Sequence, residues 1–124
     1  CGLDYTASGM LVLTQDGRLA RALANDTEQE FLLWFDGELT DDALKLMASR
    51  SKFDGEPLKP YKISRQSDKQ LRVVLRAGMP GFLPALCELA SIEMVSCKRI
   101  RIGRLALSSL PEGSWRFING NERF

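Results

Sequence analysis

Asp4 is the residue best placed to do chemistry. It stands in the polar stretch Cys1-Gly2-Leu3-Asp4-Tyr5-Thr6-Ala7-Ser8-Gly9, just ahead of the apolar run Met10–Leu13. A short apolar run bounded by Gly9 and by Asp16-Gly17 reads as a buried strand. A carboxylate in a loop carried by such a strand sits on a rigid scaffold, a common place for working residues. The same carboxylate would serve equally as a turn or cap residue, because loop aspartates bond their own backbone. Gly9 permits a backbone conformation or a close approach that a side chain would block. At the other end of the chain, Lys98-Arg99-Ile100-Arg101-Ile102 alternates basic and apolar residues, as a half-exposed strand requires. Arg99, Arg101 and Arg104 are the nearest basic candidates for an anionic partner. Their other reading is a solvated strand face, since exposed charge needs no function.

Composition narrows the chemistry. The chain has 124 residues, enough for one domain with a real core, spanning 1–124. There is no histidine, which removes histidine acid–base catalysis, Ser-His-Asp and Cys-His sites, and histidine metal ligation. No metal site is expected. The three cysteines, Cys1, Cys87 and Cys97, show no CxxC spacing and fit reduced thiols in the cytosol. Net charge is +1, so nucleic-acid affinity would have to come from local patches. No apolar run approaches the ~20 residues of a membrane span, and no signal-peptide pattern appears. The chain opens inside a motif, without an initiator methionine, which reads as a fragment of a longer protein.

The elements that must hold these residues follow in order. Gly17 to Asn25 reads as a helix capped by Asp16, and Glu30 to Phe35 as a strand closed by Asp36-Gly37. Thr40 caps a second helix running to about Ser49, with Asp41 and Asp42 in its first turn. Ser51 to Pro60 reads as a loop with turns at Asp54-Gly55 and Pro57. Tyr61 to Ser64 and Gln70 to Arg76 read as strands joined by Gln66-Ser67-Asp68-Lys69. Phe82 to Ala90 reads as a helix with Pro84 in its first turn. Ile92 to Ile102 is strand-rich, Gly103 to Leu110 extended or turning, and Ser114 to Ile118 a last short strand. Strands and short helices alternate without repeats, which gives an α+β class with one mixed, mostly antiparallel central sheet and flanking short helices.

The opening motif also carries a resemblance. Gly2-Leu3-Asp4 through Gly9, then Leu11-Val12-Leu13-Thr14 and Asp16-Gly17, is similar to the active-site motif of pseudouridine synthases. The nearest branch modifies ribosomal RNA, the RsuA/RluB/RluE/RluF group, whose pattern is roughly G-R-L-D-x-D-[TS]-x-G-L-L-L-L-T-x-D-G. Glu28-x-Glu30-Phe31-Leu32 with Asp36-Gly37-x-Leu39-Thr40-Asp41 resembles that group's E-K-E-Y-L-V-x-V-D-G-x-L-[ST]-D segment. Arg99-x-Arg101-Ile102-Gly103-x-Leu105-x-Leu107, continuing to Gly113-x-Trp115-Arg116, resembles its C-terminal pattern.

The resemblance implies the pseudouridine synthase fold, truncated at its N-terminal side, with Asp4 as the catalytic residue. It implies isomerisation of uridine to pseudouridine in ribosomal RNA, in the cytoplasm, without a cofactor. It places Arg99, Arg101, Arg104 and the stacking ring of Phe31 as RNA contacts. Several positions depart from the pattern. Gly2 stands for the arginine before the leucine, Thr6 and Ala7 for the second acid and the hydroxyl residue, Gln29 for the lysine and Phe31 for the tyrosine. Gly78 to Leu86 matches G-x-[NH]-R-Q-[IV]-R-R-M without any of its arginines. These departures imply a second reading, a diverged member that keeps the fold as an RNA-binding or structural module.

Overall fold

A computed structural model describes residues 7–76 and 81–124. In chain order these form β1 (Ala7–Gly9), α1 (Gly17–Asn25), β2 (Glu28–Asp36), α2 (Asp41–Ala48), β3 (Lys52–Phe53), β4 (Glu56–Pro57), β5 (Tyr61–Ser67), β6 (Gln70–Arg76), α3 (Phe82–Leu89), β7 (Glu93–Ile102) and β8 (Leu105–Ala106). The main sheet runs β1-β7-β2-β6-β5, with β8 added beside β7 and β3-β4 forming a separate hairpin. β1 lies parallel to β7, and the other pairings are antiparallel. This is the α+β arrangement expected from the residues.

Local chemistry explains the element ends. The Asp16 carboxylate accepts from the Arg18 and Leu19 backbone N–H groups at 2.9 and 3.4 Å, satisfying donors that the first turn of α1 leaves free. Thr40 Oγ1 accepts from Ala43 N–H at 3.1 Å and starts α2 in the same way. On β2, alternate residues Phe31, Leu33 and Phe35 turn to one face, where they meet Val73, Leu71 and the helix residues Phe82, Leu83 and Leu86. α2 and α3 cover this inner face over a single apolar cluster. α1 covers a second cluster built from Met10, Val12, Leu23, Ile102 and Leu105.

Three expectations need correction. Met10–Leu13 is not a ladder strand; the strand lies just before it, at Ala7–Gly9. β8 folds back on β7, pairing Ala106 with Arg101 and Leu105 with Ile102. It thereby takes the edge of β7 that Met10–Leu13 would need. The segment stays extended enough to bury Met10 and Val12 and to expose Leu11 and Leu13. Ser114–Ile118 forms no strand either. Trp115 and Phe117 pack edge to face on each other at 5.2 Å and stay exposed, and Arg116 pairs with Glu122 at 2.8 Å, so local contacts replace a ladder. The Ser51–Pro60 loop contains the β3–β4 hairpin. Its tip, Asp54-Gly55, has φ of +54° and +81°, the paired positive values a tight two-residue turn needs.

Candidate active site

The inner face of the sheet carries two apolar clusters, and the seam between them is polar. Gln29 and Arg99 form it. On β7, Arg99 stands between Cys97 of one cluster and Ile102 of the other. On β2, Gln29 lies opposite Leu75 on one side and Ile102 on the other. Both side chains are buried, Arg99 to 1% exposure and Gln29 to 2%.

Arg99 ties the opening segment to the sheet. Its Nε and Nη2 both donate to the Met10 carbonyl, at 2.9 and 2.7 Å, and its Nη1 donates to Gln29 Oε1 at 3.2 Å. Met10 N–H donates to the Arg99 carbonyl at 2.9 Å, so the two residues bond in both directions. The crossing is so close that a Cβ on Gly9 would lie 2.2 Å from the Arg99 carbonyl oxygen, and Gly9 has φ +106°. This is the close approach that the sequence reserved Gly9 for. Burial lowers the Arg99 pKa, and the hydrogen bonds to two acceptor oxygens offset part of that desolvation.

The candidate RNA residues part company in space. Asp4 lies outside the described residues; in the chain it precedes β1 by three positions. Arg99 is interior, not on a solvated strand face. Phe31 is 7% exposed in the core between Val73 and Arg99, so its ring is packed rather than offered to a base. Arg101 points the other way. A bulge pairs neighbouring Phe31 and Glu30 with Arg99 and Arg101, so the two arginines leave opposite faces of the sheet. Arg101 is half-buried, donating to Glu28 Oε1 at 2.7 Å and holding that carboxyl below its usual range. Arg104 is exposed in the turn from β7 to β8. Sequence reasoning missed Gln29 and the Met10 carbonyl as members of the site. The place of Gln29 between Glu28 and Glu30, at the acidic start of β2, gave no signal of burial. Among the described residues no group of three or more acids or cysteines could hold a metal ion, and no helix is long and apolar enough to cross a membrane.

No protein-family model matches the chain. Individual proteins do. The Salmonella typhi dual-specificity RNA pseudouridine synthase RluF is 28% identical over 97% of this chain and 43% of its own length. An RNA pseudouridine synthase of Aquifex aeolicus is 28% identical over 97% of this chain and 52% of its own. The large-subunit pseudouridine synthase B of Yersinia pestis is 28% identical over 91% of this chain. The crystal structure of a pseudouridylate synthase superposes with a TM-score of 0.83 at 22% identity, over 94% of this chain and 54% of the other. The chain is thus similar in sequence to RNA pseudouridine synthases and shares the fold of one. It spans less than half the length of the RluF relatives it matches. Within this fold, the structure puts a buried arginine and glutamine at the seam, next to the Met10 segment.

Proposed function

We propose that this pseudouridine synthase domain isomerises uridine in ribosomal RNA, in the cytoplasm, with Asp4 as nucleophile or base. The observation that carries the reading is the seam. The buried Arg99 guanidinium is fixed where the core divides by Gln29 and by Met10, which follows Asp4 by six residues. A cation beside a carboxylate keeps it ionised at neutral pH. The target nucleotide leaves its stack, at a cost of a few kcal/mol, and enters the division between the clusters. There the C1′–N1 bond breaks, the base turns, and C1′ joins C5. The proton on C5 passes to solvent and N1 gains one, so the product is an isomer and no cofactor is required.

A second reading, an RNA-binding module with little turnover, is favoured by two observations. Phe31 supplies no hydroxyl and is packed in the core. The first turns of α3 carry Phe82, Leu83 and Leu86 into the core and no arginine outward. Release of tritium from C5-labelled uridine in ribosomal RNA decides between them. Release that Asp4→Asn abolishes supports the enzyme. No release from the parent, with RNA binding intact, supports the module. Release that survives Asp4→Asn overturns the role of Asp4.

A further inference from the structure

Among the described residues the helices leave one face of the sheet uncovered, and strand register shows what that face carries. Lys62, Val74, Glu30 and Arg101 lie opposite one another across β5, β6, β2 and β7. The next row is Ser64, Arg72, Leu32, Lys98 and Ser8, reaching β1. Rows on one face are about 6.8 Å apart and strands about 4.8 Å apart. Arg76 and Glu28 form a pair at one end, and Trp34 lies between Gln70 and Ser96 at the other. A groove of ≈ 370 Å³ opens between Lys62, Arg72, Arg76 and Arg101.

Cations gather on the central rows of this face. Lys62, Arg72, Arg76, Lys98 and Arg101 stand on the rows around Glu28 and Glu30; Asp26 pairs with Arg76 beyond one end, and Asp36 and Glu93 lie opposite each other beyond Trp34 at the other. The carboxylates are engaged: Glu30 is buried between Arg72 and Arg101, and Glu28 accepts from Arg101. They hold the guanidinium groups in place and leave cations in excess over these central rows, while Asp36 and Glu93 make the end beyond Trp34 acidic. The Lys62 and Lys98 ammonium groups are exposed and make no hydrogen bond or ion pair to a described residue. Between the cations, Leu32, Val74 and Trp34 provide a half-buried apolar floor. Cations that track a phosphate backbone around an apolar and aromatic floor are what single-stranded RNA requires of a sheet surface.

We propose that this reverse face binds a single-stranded segment of RNA, on the side of the sheet opposite the Gln29–Arg99 seam. The proposal rests on the reading that the domain handles RNA. It extends that reading by giving the RNA flanking the target a second, sequence-independent contact. Backbone contact comes from Lys62, Lys98 and Arg76, and Trp34 stacks with a base.

The test is binding of a labelled single-stranded oligouridine to the chain across a salt series. Each neutralised phosphate contributes about 0.7 to the salt slope on a single strand, about fivefold in affinity at 0.1 M salt. The variant with Lys62→Ala, Lys98→Ala and Arg76→Ala should bind roughly a hundredfold more weakly, with a slope lower by about two. None of the three is paired with a buried carboxylate, so the variant should fold, which circular dichroism checks. Lys45→Ala on α2 should bind as the parent does. In a Trp115→Phe background, Trp34 is the one remaining tryptophan, and its fluorescence should fall as RNA binds. Asp4→Asn should leave all of this unchanged, so failure of catalysis and failure of this surface are separate results. Parent-like affinity and slope in the triple variant overturn the proposal. So does an absence of RNA binding by the parent at low salt, or an equal loss from Lys45→Ala.

Discussion

Replacing Gly9 by alanine should be among the costliest single-methyl changes in this protein. Two effects add. At φ +106° an alanine is strained, by about 1–2 kcal/mol. Its Cβ would also sit 2.2 Å from the Arg99 carbonyl oxygen and 2.7 Å from the Arg99 nitrogen, both backbone atoms that cannot swing aside. Relief requires β1 and β7 to part by roughly an ångström, which threatens the Met10 N–H bond to Arg99 and the guanidinium bonds to the Met10 carbonyl. A neutral hydrogen bond contributes about 1 kcal/mol and a charged one about 1.5–3. The total is about 4 kcal/mol or more, a large fraction of the 5–15 kcal/mol typical of domain stability. Gly55→Ala separates the two effects. Its φ is +81° and nothing lies within 4 Å of the added Cβ, so it carries the conformational cost without the collision. Urea denaturation followed by circular dichroism should show Gly9→Ala losing roughly 2 M in midpoint at an m-value near 2 kcal/mol/M. Gly55→Ala should lose at most half of that. Equal losses would refute the close-approach reasoning.

Four further outcomes follow. Arg99→Met should cost about 2–4 kcal/mol in the same denaturation assay, because the Met10 carbonyl and Gln29 amide oxygen lose a buried donor. Burial pushes the Cys87 thiol up to about 11, so Cys87 in the folded chain should resist thiol reagents at pH 8 and react on unfolding, read by peptide mass spectrometry. Because the folded value lies above the unfolded one, this contribution to stability is complete below about pH 9 and is lost as pH rises toward 11, which urea midpoints at pH 8 and 11 would detect. Ala85→Arg should raise RNA affinity about fivefold at 0.1 M salt without loss of stability, measured by the salt series and by melting, since position 85 is half-exposed on α3. Tritium release by the chain should be on the order of a hundredfold below that of a relative with the tyrosine and arginines in place, since misplacing a reacting group by about 1 Å costs that much.

Much of the fold was legible because its signals are local. Asp16 with its apolar spacing marks α1 to its last residue, and Thr40 marks α2 equally well. The apolar runs in β2 and β6 mark them as strands, although Phe31 to Phe35 and Val73 to Leu75 are apolar throughout and do not say which face turns inward. What stayed hidden depends on competition between distant segments. Nothing in Met10–Leu13 says that β8 will occupy the edge of β7 first. Nothing in Arg99-Ile100-Arg101 reveals that a bulge opposite Glu30 and Phe31 will send the two arginines to opposite faces. Spacing of two residues implies a shared face only where the ladder is regular. The ring of Phe31 looked available for stacking because the sequence shows the residue type and not the packing around it.

Helix α3 shows how the departures from the family's pattern fit one another. By the match to G-x-[NH]-R-Q-[IV]-R-R-M, the missing arginines fall at Gly81, Pro84 and Ala85. The first is exposed and the other two half-exposed, whereas the positions that match its apolar residues, Leu83 and Leu86, are buried in the core. The helix has therefore kept the face that packs and changed the face that would meet a charged ligand. Stability constrains the first face, since removing a buried leucine costs about 2–5 kcal/mol. It places little constraint on the second, where surface substitutions are usually within about 0.5 kcal/mol. A charge lost there weakens RNA contact without loosening the fold. Arg99 could not be lost so freely, because the same guanidinium that would sit beside a catalytic carboxylate also holds the Met10 segment to β7. The seam thus persists for a structural reason whether or not the chain turns over uridine, and its presence alone does not measure catalysis. The exposed arginine positions of α3 are where activity and its loss are separable.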